Sequence, residues 1–157
     1  MKRFIFYLLL LCTAGYVYVI IELCYRQKTD VTMMFCASIC AIPMIFLNNI
    51  FSYELDFLIQ ILLCGSFCTV TELIFGLNFN SDYHIWDYSN MILNYKGQIC
   101  IVFFFVWVLL SIPIIIMADW MEYYVFDLSS QQPYYKIFRK EVYRMKHNNR
   151  IRFIKRG

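Results

Sequence analysis

Between Lys28 and Lys136 the chain carries one basic residue, Lys96. Charged residues are 16% of the 157, well below the roughly 25% usual in water-soluble domains. Hydrophobic residues reach 61% and aromatic ones 20%. A chain of this length is one domain at most and cannot enclose so much apolar surface, whereas a bilayer accepts it as solvent. The shortage of charge therefore excludes an ordinary soluble fold.

Other absences narrow the chemistry. No G-x-x-x-x-G-K phosphate loop is present, so an ATP-driven role would require a separate ATPase subunit. The seven cysteines (12, 24, 36, 40, 64, 68 and 100) form no C-x-x-C pair and have no histidine at zinc-ligand spacing. They read as small packing residues in helices, with Cys36/Cys40 and Cys64/Cys68 each sharing a helix face. No nucleophile–base pair or paired-carboxylate pattern stands out, so neither enzymatic activity nor a cofactor or metal is expected.

What is present is a series of long apolar runs. A spanning helix needs about 20 mostly apolar residues, and four segments qualify, at about 4–25, 31–48, 57–77 and 98–118. Lys2 and Arg3 before the first run resemble a secretory leader, but apolar character continues through Leu23, too far for a signal core. The first run is therefore expected to remain as a helix. Pro43 falls within the second span, as a kink or near its end, and Pro113 near the far end of the fourth. Trp120, Tyr123 and Tyr124 follow the fourth span and suit interfacial depth. The expected fold is all-α: a polytopic bundle of four spans over residues 1–128, then a basic cytoplasmic tail over 129–157.

That tail holds nine of the fourteen Lys and Arg residues. By the positive-inside rule it lies in the cytoplasm with Lys2 and Arg3, and an even number of spans lets both ends do so. The loop 78–97 then faces outward in a cell-membrane protein. Ile137, Phe138, Val142 and Met145 recur at roughly helical spacing, which predicts a surface helix. Its basic face, Lys136, Arg139, Lys140, Arg144, Lys146, Arg150 and Arg152, would lie on anionic lipid headgroups. Topology-setting charge accounts for these residues without nucleic acid, and no nucleic-acid partner is expected.

Polar residues inside the spans are the candidate site. Helices one and three run outward, so Glu22 and Glu72 reach one level, where Gln98 opens the fourth span and Trp86, Asp87, Tyr88 and Ser89 cover it. Arg26 follows Glu22 by one helical turn. An unpaired carboxylate at bilayer depth costs about 2.5–3.5 kcal/mol, so Glu72 needs a partner, with Arg26 the expected one. Such a cluster is either a solute, ion or proton site or an interhelical lock. Asp87 and Ser89 are expected to order the loop, and Trp86 and Tyr88 to seat it at the interface. His84 reads as an ordinary loop residue, Asn48 and Asn49 as helix-end caps, and Asp119 as an interfacial acid.

Three stretches bring a family into view: T-E-L-I-F-G at 71–76, I-W-D-Y-S-N at 85–90 and G-Q-I-C at 97–100. Together they resemble the bacterial integral membrane family labelled putative ABC-transporter type IV, found mostly in Firmicutes. Its members share a glutamate-bearing helix, a W-D-Y-S loop, a G-Q-I-C helix start and a later tryptophan, for which Trp107 stands here. The likeness covers about residues 15–125 and includes the segment from Ile21 to Arg26. Between the two loop motifs the family often has proline or glycine, whereas 91–96 reads M-I-L-N-Y-K. The label implies transport. The expected function is a small transporter or permease-like component that binds or passes a small solute at the outer polar cluster, as a homo-oligomer or beside a partner membrane or ATPase subunit. A non-transporting accessory protein that docks a partner is the alternative, and a holin-like pore former is a third.

Overall fold

The computed structural model describes residues 2–147. Four long helices dominate it: α1 (Lys2–Arg26), α2 (Val31–Phe51), α3 (Phe57–Phe79) and α4 (Ile101–Trp120), the last continuing into a π-helical turn, Met121–Val125. All four are long and apolar enough to cross a bilayer, and the chain is a multi-pass membrane protein. Exposed Leu8, Leu9, Ile20, Ile59, Leu62, Phe105 and Leu109 give the bundle a lipid-facing surface.

Short links turn the helices back on one another. Asp30 caps α2 by accepting from Thr32 N at 2.8 Å, and Asp56 caps α3 by accepting from Leu58 N at 3.0 Å. Ser52 ends α2 in a left-handed conformation. The helices therefore alternate in direction, and the bundle has two ends: a loop end, carrying residues 80–100, and a termini end, carrying the start of α1 and everything after α4. Helix α2 continues through Pro43 to Phe51, beyond the expected end at residue 48. The fourth helix starts at Ile101, not Gln98, because Cys100 is still fully extended.

The apolar core lies between α2, α3 and α4. Cys36, Cys40, Cys64, Cys68 and Cys100 are all buried there, in keeping with packing roles. Cys40 and Cys68 each direct a thiol to the other's carbonyl, at 4.0 and 3.6 Å.

The tail departs from expectation. Instead of a helix it forms an antiparallel hairpin, β1 (Tyr134–Ile137) with β2 (Lys140–Arg144), with an irregularity between Tyr135 and Lys136. Phe138 and Arg139 make the two-residue turn, both at positive φ (49° and 64°), the geometry of the tight hairpin turn. Tyr134, Tyr135, Ile137, Val142 and Tyr143 have side chains that suit a pleated, half-buried surface. The apolar spacing that resembled a helix arises because Tyr135 and Met145 are drawn onto the bundle while Phe138 and Val142 remain exposed. Arg150 and Arg152 lie outside the described residues.

Candidate functional site

The loop end is held by a set of neutral hydrogen bonds around two residues. Asn80 is wholly buried; its Nδ2 donates to the Trp86 carbonyl at 2.6 Å and to Gln98 Oε1 at 3.0 Å, and its Oδ1 accepts from Ile85 N at 2.9 Å. Gln98 Nε2 donates back to the Asn80 carbonyl at 2.9 Å, and Trp86 Nε1 donates to the Gln98 carbonyl at 2.9 Å. Both ends of the loop are thus tied through one buried amide pair. A buried network with its partners in place fixes one arrangement, since any alternative leaves polar groups unpaired.

The loop motifs close on each other in the same region. Tyr88 N donates to the Gly97 carbonyl at 2.8 Å, and Ser89 N to Asp87 Oδ1 at 2.8 Å. The Ser89 side chain, together with that backbone bond, holds the Asp87 carboxyl below its ordinary range. Gly97 has φ +62°, and a Cβ there would come within 2.6 Å of Ser89 Oγ. At Gly76, on the facing helix, a Cβ would lie 2.4 Å from Gln98 Oε1.

Glu72 sits behind this loop, 2% exposed. Its Oε1 accepts from Tyr88 OH at 2.9 Å and its Oε2 from Trp107 Nε1 at 3.1 Å. Tyr88 also stacks on Phe103, with centroids 4.4 Å apart and planes at 18°. Burial, then the adjacent carboxylate, drives the Tyr88 phenol far above its usual range, so it remains a donor.

The expected Glu72–Arg26 pair is absent: Arg26 Nη1 instead meets Glu22 Oε1 at 3.3 Å on its own helix, and Thr29 Oγ1 donates to Glu22 Oε2 at 2.7 Å. The physical reason is supply. Two neutral donors already meet both Glu72 oxygens at depth, so no desolvated guanidinium is required there. Gln98 likewise turns to Asn80, away from Glu72. Trp86 and Tyr88 are buried against the protein, 8% and 9% exposed, and do not lie out in the interface.

Glu22 and Arg26 form one wall of a cavity of about 260 Å³. Tyr18, Met33, Trp86, Tyr88 and Phe103 supply the rest of it that matters here. The eight residues singled out in the sequence therefore separate into three groups. Glu22, Arg26, Trp86 and Tyr88 line the cavity; Glu72 and Gln98 anchor the loop from behind; Asp87 and Ser89 shape its turn. His84 bridges outward, with Nδ1 2.5 Å from Asp82 Oδ1 and Nε2 3.7 Å from Asp30 Oδ2. The Asp82 hydrogen bond, opposed by partial burial and helped by both acid charges, raises the His84 pKa.

Sequence reasoning overlooked a second polar group, at the termini end. Asp119, 3% exposed, accepts from Asn48 Nδ2 at 2.8 Å and Tyr135 OH at 2.6 Å, with Tyr53 OH at 3.4 Å. Glu122 beside it accepts from Asn49 Nδ2 at 3.1 Å and Tyr7 OH at 3.2 Å. Asn48 and Asn49 are therefore interhelical ligands for carboxylates, not merely helix caps. The signal was available: Asp119 follows a long apolar run, as Glu72 interrupts one. Of the tail cations, Lys136 meets Glu54 at 2.6 Å and Arg144 pairs with Glu141, while at Arg139 it is the backbone N that donates to Asp56 Oδ2 at 3.2 Å. Lys136 and Arg144 thus meet the protein's own acids.

The three motif stretches are thus parts of one hydrogen-bonded unit that joins α3, the loop and α4. The profile of the membrane family described as putative ABC-transporter type IV matches residues 6–138. The chain belongs to that family. The match takes in all four spans, the loop motifs and β1. No curated protein and no solved structure matches the chain.

Proposed function

We propose that this protein is the membrane-embedded, solute-binding component of an ABC-type transporter, with its site in the aromatic cavity at the loop end. The observation that carries the reading is the cavity itself: about 260 Å³, walled by aromatic rings, with the Glu22–Arg26 pair on one side. Apolar walls with a few convergent polar groups are the usual form of a small-ligand site. Family membership supports a transport role. Glu72 acts as a positioning residue, because it is sealed behind Tyr88 and holds that ring at the cavity wall. In this reading ATP hydrolysis belongs to a partner subunit, as the family description supports and as the lack of a phosphate loop in these residues requires of any ATP-driven role.

The positive-inside rule supports a topology with both termini in the cytoplasm and the cavity facing outward. Labelling Ser81→Cys with a membrane-impermeant thiol reagent in intact cells tests this, in a background with exposed Cys12 and Cys24 changed to serine. Label from outside is expected; label only after cells are opened overturns the topology.

Function is tested by comparing solutes retained and released by cells lacking the protein with those of complemented cells. Wild type should restore the altered solutes. Arg26→Ala, present at normal level in the membrane, should not. Full restoration by Arg26→Ala and by Phe103→Ala would remove the cavity from the function.

A further inference from the structure

A second cavity, about 380 Å³, adjoins the first and shares Tyr18 and Ile21 with it. It is a slot between α1 and α4, with α2 as the third wall. Leu10, Ala14 and Val17 line it from α1, Ala37 and Ala41 from α2, and Trp107 from α4. Thr13 Oγ1 donates to the Leu9 carbonyl at 2.7 Å, so that hydroxyl is spent on its own helix, and Tyr18 stands where the slot meets the first cavity. Val17 and Met117 are half-exposed on the outer surface of the bundle, where the slot opens to the bilayer.

The slot has the dimensions of a lipid chain. From Leu10 to Ile21 a helix rises about 16 Å, roughly half of a ~30 Å hydrocarbon core. At its polar end Arg26 uses one guanidinium N–H on Glu22 among the described hydrogen bonds, out of the five that arginine carries. A guanidinium with donors to spare suits a phosphate oxygen. Trp86, Tyr88 and Phe103 would enclose a glycerol-sized group beside it.

We infer that the ligand of the loop-end cavity is a single-chain phospholipid-type amphiphile, its phosphate on Arg26 and its acyl chain in the slot between α1 and α4. This rests on the reading of that cavity as a binding site and narrows the solute to an amphiphile. The Arg26 N–H donors not spent on Glu22, the length of the slot and the shared Tyr18–Ile21 wall carry the assignment.

Trp86 and Trp107 provide the readout, one in each cavity wall. In purified full-length protein carrying Trp120→Phe, lysophosphatidic acid with a brominated lauroyl chain should quench their fluorescence saturably. Arg26→Ala and Arg26→Gln should each weaken that binding about tenfold, the loss of one charge-assisted pair. Ala37→Leu should fill the slot and remove Trp107 quenching while the protein still elutes as one species. Non-saturating quenching, or quenching untouched by all three variants, overturns the inference. So does saturable binding of brominated lauric acid alone, which would assign a carboxylate ligand. If glycerol phosphate binds as tightly as the chain-bearing probe, the slot is unused and the amphiphile is refuted, while the solute reading survives. Failure of the solute reading is seen separately, in the cellular restoration by Arg26→Ala.

Discussion

The two ends of the bundle solve one problem with the same chemistry. Glu72 at the loop end and Asp119 at the termini end are carboxylates 2% and 3% exposed, each met by a tyrosine hydroxyl and other neutral donors. They differ in where those donors lie in the chain. Glu72 draws on Tyr88 and Trp107, 16 and 35 residues away. Asp119 draws on Asn48 and Tyr53, 71 and 66 residues away, and on a hairpin that packs back onto the bundle. The Tyr88 loop follows directly on the helix that carries Glu72, whereas the termini end brings together α2, the link after it, α4 and the tail. The first end adjoins a cavity with a charged wall; the second is covered by Tyr135, itself 4% exposed.

Removing a carboxylate should separate the ends most strongly. Glu72→Ala leaves two buried donors without an acceptor and is expected to cost about 2–4 kcal/mol, read as thermal unfolding in detergent. Coupling in double-mutant cycles should be about 1 kcal/mol or more for Glu72 with Tyr88, and near zero for Glu72 with Arg26, which do not touch. Strong Glu72–Arg26 coupling would mean that the pair exists after all.

Tyr135→Phe should act at the other end alone. Loss of a hydroxyl bonded to Asp119 is expected to cost about 1.5 kcal/mol and to expose the link after the π-helical turn to protease. Unchanged cleavage would show that Tyr134 and Lys136 on Glu54 hold the hairpin without it. Protease protection of the 80–100 loop should be unaffected.

Gly97→Ala targets the loop end again, through backbone strain. At φ +62° with Ser89 Oγ in the way, it should cost about 1–2 kcal/mol and loosen the loop, seen as faster amide exchange at Tyr88. Exchange as slow as wild type would show that the turn adapts.

The smallest effect is pH-dependent and confined to the loop end. His84 has a raised pKa, so its contribution is present below the ordinary value of about 6.5 and is lost as pH rises through the folded value. Asp82 and Asp30 stay ionised across that window, each held below its usual range, mainly by hydrogen bonds with His84 and Thr32 respectively. Protection of the loop amides, corrected for the base catalysis of exchange itself, should fall slightly as pH rises from about 6 to about 8, and His84→Gln should abolish that fall. The same dependence in His84→Gln would assign it elsewhere.

The amino-acid sequence alone determined the four spans to within a few residues, because a bilayer demands about twenty apolar residues whatever packs beside them. It also indicated Glu72 as a residue that needs a partner, since burying a carboxylate is costly in any fold. The partner was decided by tertiary structure. Glu22 and Arg26 are one helical turn apart and pair on their own helix, while Glu72 is met by Tyr88 and Trp107. The partners of Asp119 and the slot beside α1 were likewise decided by tertiary structure, since both arise where segments distant in sequence meet. The tail is the clearest case. Its basic composition was legible, but a helix and a hairpin can share that composition, and docking of Tyr135 onto Asp119 accompanies the hairpin.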